Sequence, residues 1–330
     1  MERKIGWALV GTGSIARKFC VGLRAAEGVG PVCAVSRTAG NAEAFAREYG
    51  LDRGYGSLAA ALDDPAVDVV YVGTPHSTHR EIALAAIAAG KAVLCEKPVA
   101  IAAWEMEEMA AAARAKGTFF MEAMWTRFMP AIKRAAGWIA EGQIGRVKLV
   151  QANFGFVTPW LPEARLLNPL LGGGALLDAG IYPISMAFMA FAGREAEAVH
   201  GMLTIGETRV DEQFMGLISF GGDRMASVNA AIRTSMQSDA WIYGDQGRIR
   251  MRDFVFGHEA SLQVDGRFDV TYAPDVRGNG YTYEAEEVMR CVREGRTESA
   301  VMPMAETIRI LRVMDEIRRQ AGFAYPFEKR

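Results

Sequence analysis

At 330 residues, half of them hydrophobic and 23% charged, the chain can build the cores of two ordinary domains and is too apolar to be disordered. A formal net charge of −2 with no long basic cluster excludes the electrostatic footprint of nucleic-acid or anionic-membrane binding. The four cysteines, Cys20, Cys33, Cys95 and Cys291, form no Cys-x-x-Cys pair, which argues against a zinc ribbon or redox dithiol and for reduced core thiols.

The N-terminus, MERKIGWALVGTG, enters a strand pattern directly, without a signal-peptide apolar region. No uncharged apolar run approaches membrane-spanning length, so the expected location is the cytoplasm. IGWALV, residues 5–10, predicts the first strand, followed by a helix over 15–26. Strands are then expected at 31–36, 67–73, 91–96 and 118–123, with helices at 41–50, 77–90 and 102–117 between them. Short apolar strands alternating with amphipathic helices predict an α/β fold, a doubly wound parallel sheet of the Rossmann type. In such sheets ligands sit beyond the carboxyl ends of the strands, which makes the residues there the first candidates.

The first strand ends in Gly11-Thr12-Gly13-Ser14-Ile15-Ala16, a G-x-G-x-x-A turn. Its glycines permit a tight turn and close approach to a pyrophosphate, which the helix N-terminus then favours. A strand before it and a helix after it supply the context the motif needs. The second strand ends in Ser36-Arg37-Thr38, where an NAD-selective site usually carries a carboxylate. Small hydroxyls and an arginine suit the extra phosphate of NADP instead, although Arg37 also reads as a solvated surface residue. NADP is therefore the expected cofactor, with NAD second. The third strand ends in Thr74-Pro75-His76-Ser77-Thr78-His79, of which Thr74, Pro75, His76 and His79 are placed against the cofactor. Two histidines without a further ligand nearby do not make a metal site, and none is expected. The fourth strand ends in Glu96-Lys97-Pro98, where Lys97 reads either as a substrate or proton-relay group or as a surface lysine.

From Arg127 the pattern changes. A helix over 127–142 leads to a long strand over 146–156, and strand patterns follow at 198–205, 212–220, 224–232, 240–252 and 261–272. Gly221-Gly222-Asp223, the segment Gly244 to Gly247, and Asp265-Gly266 supply the turns. Helices over 283–295 and 305–322 close the chain. This predicts a C-terminal α+β domain on a mostly antiparallel open sheet, with one face free for a partner copy in a homodimer or tetramer. The division expected is residues 1–122 for the dinucleotide and 123–330 for substrate and oligomerisation, with the last helix able to pack back on the first domain. Between strands lies LLGGGALLDAGIYPIS, residues 170–185. Asp178 and Tyr182 stand four apart, on one helical face, and Pro183 removes a helix donor just after the tyrosine. The glycines are expected to bring backbone close to substrate. Trp125, Phe154, Phe156, Trp160 and Tyr281 are aromatics near these segments, suited to a sugar ring or an aromatic diol; core positions suit them too. Asn153 and Arg165 carry little weight as hydroxyl binders.

With VGTGSIA, VLCEKP (Val93 to Pro98), MEAMWTRFMP (Met121 to Pro130), GGGALLDAGIY (Gly172 to Tyr182) and YEA (Tyr283 to Ala285), the sequence resembles the glucose–fructose oxidoreductase/inositol dehydrogenase (Gfo/Idh/MocA) family. Within it the likeness is greatest to the branch of dimeric dihydrodiol dehydrogenase and NADP-dependent D-xylose dehydrogenase. That branch has tyrosine where many members have histidine, as at Tyr182, and a histidine at the position of His76. The resemblance implies an oxidoreductase in which Lys97 is the site lysine, Tyr182 the general acid/base and Asp178 a supporting carboxylate. Trp125 and Arg127 would border the nicotinamide and substrate, with Phe154 and Tyr281 as further substrate walls.

The reaction so implied is reversible hydride transfer between NADP and a hydroxyl-bearing carbon of a sugar, an aldose such as D-xylose, or a trans-dihydrodiol. A phenol titrates near ~10, too high for an efficient base at neutral pH, and a neighbouring ammonium such as Lys97 would lower it. Two other readings stay open: a non-catalytic NADPH-binding sensor, and an NAD-dependent inositol-type dehydrogenase.

Overall fold

The computed structural model describes residues 3–264 and 269–328. The chain folds as two compact units. The first holds residues 1–100, 104–125 and 277–307, and the second holds 101–103, 126–276 and 308–330.

In the first unit β1 (Ile5–Val10), β2 (Val29–Val35), β3 (Arg53–Tyr55), β4 (Val69–Val72), β5 (Ala92–Glu96) and β6 (Phe120–Ala123) form one sheet in the order β3-β2-β1-β4-β5-β6. Every pairing in it is parallel. Strands β1, β4, β5 and β6 are buried along their whole length, as the continuous Val, Ile and Leu runs require of a sheet covered on both faces. Helices α1 (Ser14–Arg24), α2 (Ala39–Tyr49), α3 (Leu58–Leu62), α4 (His79–Ala88) and α5 (Ala103–Lys116) connect them. The order reverses between β1 and β4, so the carboxyl ends of those two strands border the crevice where such sheets bind ligands.

Two elements here have no counterpart in the sequence reading, β3 and α3. Strand β3 is only Arg53-Gly54-Tyr55 and shows no alternation; pairing of these residues with Cys33, Ala34 and Val35 makes it a strand. Tertiary pairing thus overrides a weak local signal.

In the second unit eight strands run in the order β14-β13-β12-β11-β7-β10-β9-β8. They are β7 (Val147–Gly155), β8 (Ala198–Ile205), β9 (Asp211–Ser219), β10 (Met225–Ala231), β11 (Ala240–Gly244), β12 (Gly247–Arg252), β13 (Glu259–Val264) and β14 (Val270–Tyr272). Among the described residues only β7 and β10 pair in parallel, and the remaining neighbours are antiparallel. The turns at Gly221–Asp223 and Gly244–Gly247 fall where expected, whereas Asp265-Gly266 lies outside the described residues. Helices α6 (Pro130–Ala140) and α7 (Ile181–Ala190) cover one face, α7 against β7, β10 and β11 and α6 against β12 and β13. All ten residues of α7 are buried. The stretch Pro169–Ala190 is long and apolar enough to span a membrane, but 89% of its apolar window is buried, which makes it core. On β9 the alternation is plain: Phe214, Gly216 and Ile218 point inward while Met215 and Leu217 are exposed.

Helix α8 (Tyr281–Arg293) follows the second sheet in sequence but belongs to the first unit. It packs on α1, where the Thr282 hydroxyl donates to the Gly22 carbonyl at 2.9 Å. A Cβ at Gly22 would lie 2.6 Å from Asn279 Oδ1, so this approach needs glycine. The last helix, α9 (Met304–Gln320), begins in the first unit and continues in the second.

Candidate active site

Helix α1 starts at the end of β1 with no side-chain cap and no acid in its first turn. Its leading amides therefore have neither an intrahelical acceptor nor a capping oxygen. The two glycines of the turn do different things. Gly11 has φ +105°, and a Cβ there would lie 2.6 Å from the Gly73 carbonyl oxygen, so it serves the turn itself. A Cβ on Gly13 would meet nothing within 4 Å, so this glycine faces open space in front of the uncapped helix. A pyrophosphate fits that arrangement: donors in front, room where a side chain would stand, and the positive end of a helix. Thr12 and Ile15 are partly exposed beside it, Ser14 is exposed, and Ala16 is packed inside.

At the end of β2 the Ser36 amide donates to the Tyr55 carbonyl at 3.1 Å, and the Thr38 hydroxyl accepts from the Asn41 amide at 3.4 Å to cap α2. Arg37 is exposed and has no ion-pair partner among the described residues. Its guanidinium is available to a phosphate.

Beyond β4, the Thr78 hydroxyl lies 2.8 Å from both Thr74 Oγ1 and the Pro75 carbonyl. His76 is buried, its ring edge-on to that of His79 at 5.6 Å. His79 is wholly buried, with Nδ1 2.9 Å from the Pro98 carbonyl and Nε2 2.9 Å from the Thr74 carbonyl. Both ring nitrogens thus face backbone carbonyls. His79 ties the end of β4 to the loop after Lys97.

Beyond β5, every residue from Ala92 to Ala100 is buried except Lys97, which is partly exposed. The Tyr71 hydroxyl donates to Glu96 Oε1 at 2.7 Å and the Lys97 amide donates to Oε2 at 3.3 Å. The Lys97–Pro98 peptide is cis. Glu122, on β6, accepts the Val99 amide at 3.0 Å; burial pushes its carboxyl up to about 7, against that bond and the charge of Lys97. Glu284 on α8 is wholly buried, and desolvation with the charge of Glu96 pushes it well above the carboxylate range. Trp125 stacks on Tyr281 with centroids 4.7 Å apart and planes 11° from parallel.

In the second unit residues Leu176–Gly180 wind as a π-helical turn that leads into α7. Pro183 has no amide for the Ala179 carbonyl, which an α-helix would pair with it, and a widened turn accommodates the loss. Asp178 lies in this turn and Tyr182 just after it, both buried. Arg165, weighed above only as a weak hydroxyl binder, forms an ion pair with Asp178 at 2.8 Å. The Tyr182 ring meets Phe154 edge-on at 5.6 Å, and Phe156 stands 5.6 Å beyond. Arg127 is buried and donates to the Ser185 carbonyl at 2.7 Å, one turn past Tyr182, so it holds α7. Asn153 accepts from Asn229 at 2.7 Å, and Trp160 is 45% exposed beneath the Arg233 guanidinium. Two of the glycines make room for the protein's own atoms: a Cβ at Gly173 would lie 2.4 Å from the Arg165 carbonyl oxygen, and one at Gly174 2.1 Å from Asp211 Oδ1.

Residues 5–124 match the family described as "Oxidoreductase family, NAD-binding Rossmann fold", and residues 132–250 match the "GFO/IDH/MocA C-terminal domain". A trans-1,2-dihydrobenzene-1,2-diol dehydrogenase from Danio rerio is 37% identical over 328 residues, covering 97% of each chain. The chain belongs to the Gfo/Idh/MocA family. A solved aldose-aldose oxidoreductase from Caulobacter crescentus, complexed with glycerol, superposes with a TM-score of 0.88 at 27% identity, over 97% of this chain and 98% of that one. Levoglucosan dehydrogenase in complex with NADH and levoglucosan gives 0.86 at 24% identity over 97% and 98%, a likeness of fold. As a member of this family the protein is an oxidoreductase that binds a nicotinamide dinucleotide and acts on CH–OH groups.

The open cradle at Gly13 makes Gly13→Ala informative. Stability should change by less than about 1 kcal/mol, since the added carbon touches no protein atom. The dissociation constant of the dinucleotide, read by fluorescence titration, should rise by about tenfold or more. Unchanged affinity would show that the pyrophosphate lies elsewhere.

The buried Glu122 predicts a pH dependence of stability. Between the ordinary value of 4.5 and about 7 its carboxyl is protonated in the folded chain and ionised in the unfolded one. The folded state then binds more protons, so stability falls as pH rises through that window and levels off above it. Glu122→Gln should remove about 1 to 3 kcal/mol of the loss between pH ~5 and ~8 in urea titrations, and equal losses in both proteins would refute the assignment.

Proposed function

We propose that this oxidoreductase transfers hydride reversibly between NADP and the hydroxyl-bearing carbon of a sugar, such as the aldose D-xylose, or of a trans-dihydrodiol, with Tyr182 as general acid/base. The observation that carries the reading is Lys97, the one partly exposed residue in the buried run from Ala92 to Ala100, at the carboxyl end of a central strand. A lysine that merely decorated a surface would not need every neighbour in the run packed inside. The substrate class rests on the named activities of the relatives and on aromatic walls at Trp125, Tyr281 and Phe154, whose faces suit sugar rings and dihydrodiols alike.

The bound dinucleotide supplies the hydride chemistry. Gly11 to Ala16 would hold its pyrophosphate. Arg37 would meet the 2′-phosphate of NADP, which favours NADP over NAD for this chain. Tyr182 takes the proton of the substrate hydroxyl during oxidation and returns it during reduction, with Lys97 as the cation that favours the ionised oxygen. Asp178, paired with Arg165, accepts from a substrate hydroxyl. Four buried free cysteines fit a reducing cytoplasm.

The test follows absorbance at the reduced-nicotinamide band across aldoses, polyols and diols, with NAD and NADP in parallel. Turnover is expected with NADP on an aldose or diol, and binding of NADPH without turnover on any substrate would overturn the reading. Tyr182→Phe should lower kcat by about 10²- to 10⁴-fold while NADPH affinity holds. Wild-type turnover in that variant would remove Tyr182 from the chemistry.

The exposed sheet face supports a homodimer. Met202 and Met215, opposite one another on β8 and β9, are 78% and 65% exposed, and Leu217 and Met225 extend the apolar patch. Replacing Met202 and Met215 by lysine should yield monomers in sedimentation equilibrium. A wild-type protein that sediments as a monomer at micromolar concentration would defeat the proposal.

A further inference from the structure

The π turn before α7 has no capping side chain of its own. Its first amides are met from a distant strand. The Leu176 amide donates to Asp211 Oδ2 at 2.6 Å, and the Ala175 amide also faces this carboxylate. Asp211 opens β9 and is 1% exposed. Gly174 lies against the other oxygen, at φ +130°, and no side chain fits there. One residue earlier the Gly173 carbonyl accepts the Tyr325 hydroxyl at 2.8 Å. Tyr325 is buried beneath the Arg318 guanidinium, 5.5 Å from its ring, and Arg318 is paired with Asp315 at 2.8 Å and Glu328 at 2.6 Å. Residues 173–176 are thus gripped on one side by an acid and on the other by a phenol, both nearly inaccessible to water.

A serine or asparagine near the turn would cap it without burying a carboxylate, which is costly to desolvate. A full charge gives a shorter, stronger bond and a fixed direction. We propose that Asp211, braced by Tyr325, is the positioning residue for the helix that carries Asp178 and Tyr182, and that it acts as the carboxylate. The proposal rests on the reading of Tyr182 as the proton-transfer group. Burial pushes the Asp211 carboxyl up to about 7, while the Leu176 amide and the charge of Arg318 oppose that rise. The charged and titratable groups around the cluster are Arg318 from α9, Tyr325 from the C-terminal segment and Asp178 from the π turn. Protonation weakens the grip on the two amides, so turnover should fall as pH drops through neutrality.

The experiment compares Asp211→Ala, Asp211→Asn and Tyr325→Phe in the full-length protein, by steady-state kinetics from pH ~6 to ~8.5 and by hydrogen exchange of peptides covering 172–186. Asp211→Ala should lower kcat by about tenfold or more with NADPH affinity unchanged, and should speed exchange in 172–186 but not in the first unit. Asp211→Asn keeps an accepting oxygen but not the charge; its protection and kcat should fall between those of the wild type and Asp211→Ala, and it should lose the decline of kcat below neutral pH. Tyr325→Phe should act in the same direction as Asp211→Ala but more weakly, and it carries the test if Asp211→Ala does not fold. Unchanged exchange in 172–186 would overturn the positioning role itself. Faster exchange with full turnover would instead overturn the link to catalysis, while Tyr182→Phe decides separately whether Tyr182 does the chemistry. An acid decline of kcat that persists in Asp211→Asn would overturn the part played by the charge.

Discussion

A helix begins with amide groups that its own carbonyls cannot satisfy, and two such beginnings organise this molecule. In the first unit α1 starts behind Gly13 with no capping side chain, and the space before it is open. In the second unit the turn before α7 also lacks a local cap, yet its amides are taken by Asp211 from the start of β9. One helix start is open and the other is closed by the protein. The glycines follow the same division: Gly13 faces empty space, whereas Gly173 and Gly174 face backbone and a carboxylate.

Buried carboxyls recur around these places. Glu122 and Glu284 in the first unit and Asp211 in the second are all displaced upward, burial being the leading cause in each. Such groups are poor stabilisers, because desolvation opposes the bonds they make. Their value is geometric. Glu122 holds the Val99 amide two residues after Lys97, Glu96 receives both Tyr71 and the Lys97 amide, and Asp211 holds Leu176 two residues before Asp178. The chain spends stability to fix the backbone next to its polar side chains, as preorganised sites require.

The arginines show the same economy in another form. Arg165 fixes Asp178, Arg127 fixes the carbonyl of Ser185 within α7, and Arg318 covers Tyr325. Each anchors a group near Tyr182 in sequence or through the Gly173 bond, so the proposed acid/base sits in a frame of charge-assisted contacts rather than in apolar packing alone.

The strands and the dinucleotide turn were legible in the sequence because both depend on short-range rules. Residues 5–10 and 198–205 are strands to the residue, since periodicity and flanking turn residues are local properties. Gly11 and Gly13 could be read because backbone reach at a strand–helix turn is local too. Strand β3 could not, for its three residues become a strand only by pairing with β2. Nor could the partners of Asp178 and the turn before it: Arg165 comes from a short 3₁₀ turn, Asp211 from a strand, and Tyr325 from the chain end. Residues 277–307 join the first unit although they follow the second sheet in order. The sequence by itself determined the longer elements, the fold class and the polar residues at the strand ends, because those follow from periodicity, turn chemistry and glycine. Only the tertiary structure decided which buried charge faces which amide, since that pairing is set by three-dimensional packing between residues that no local pattern connects.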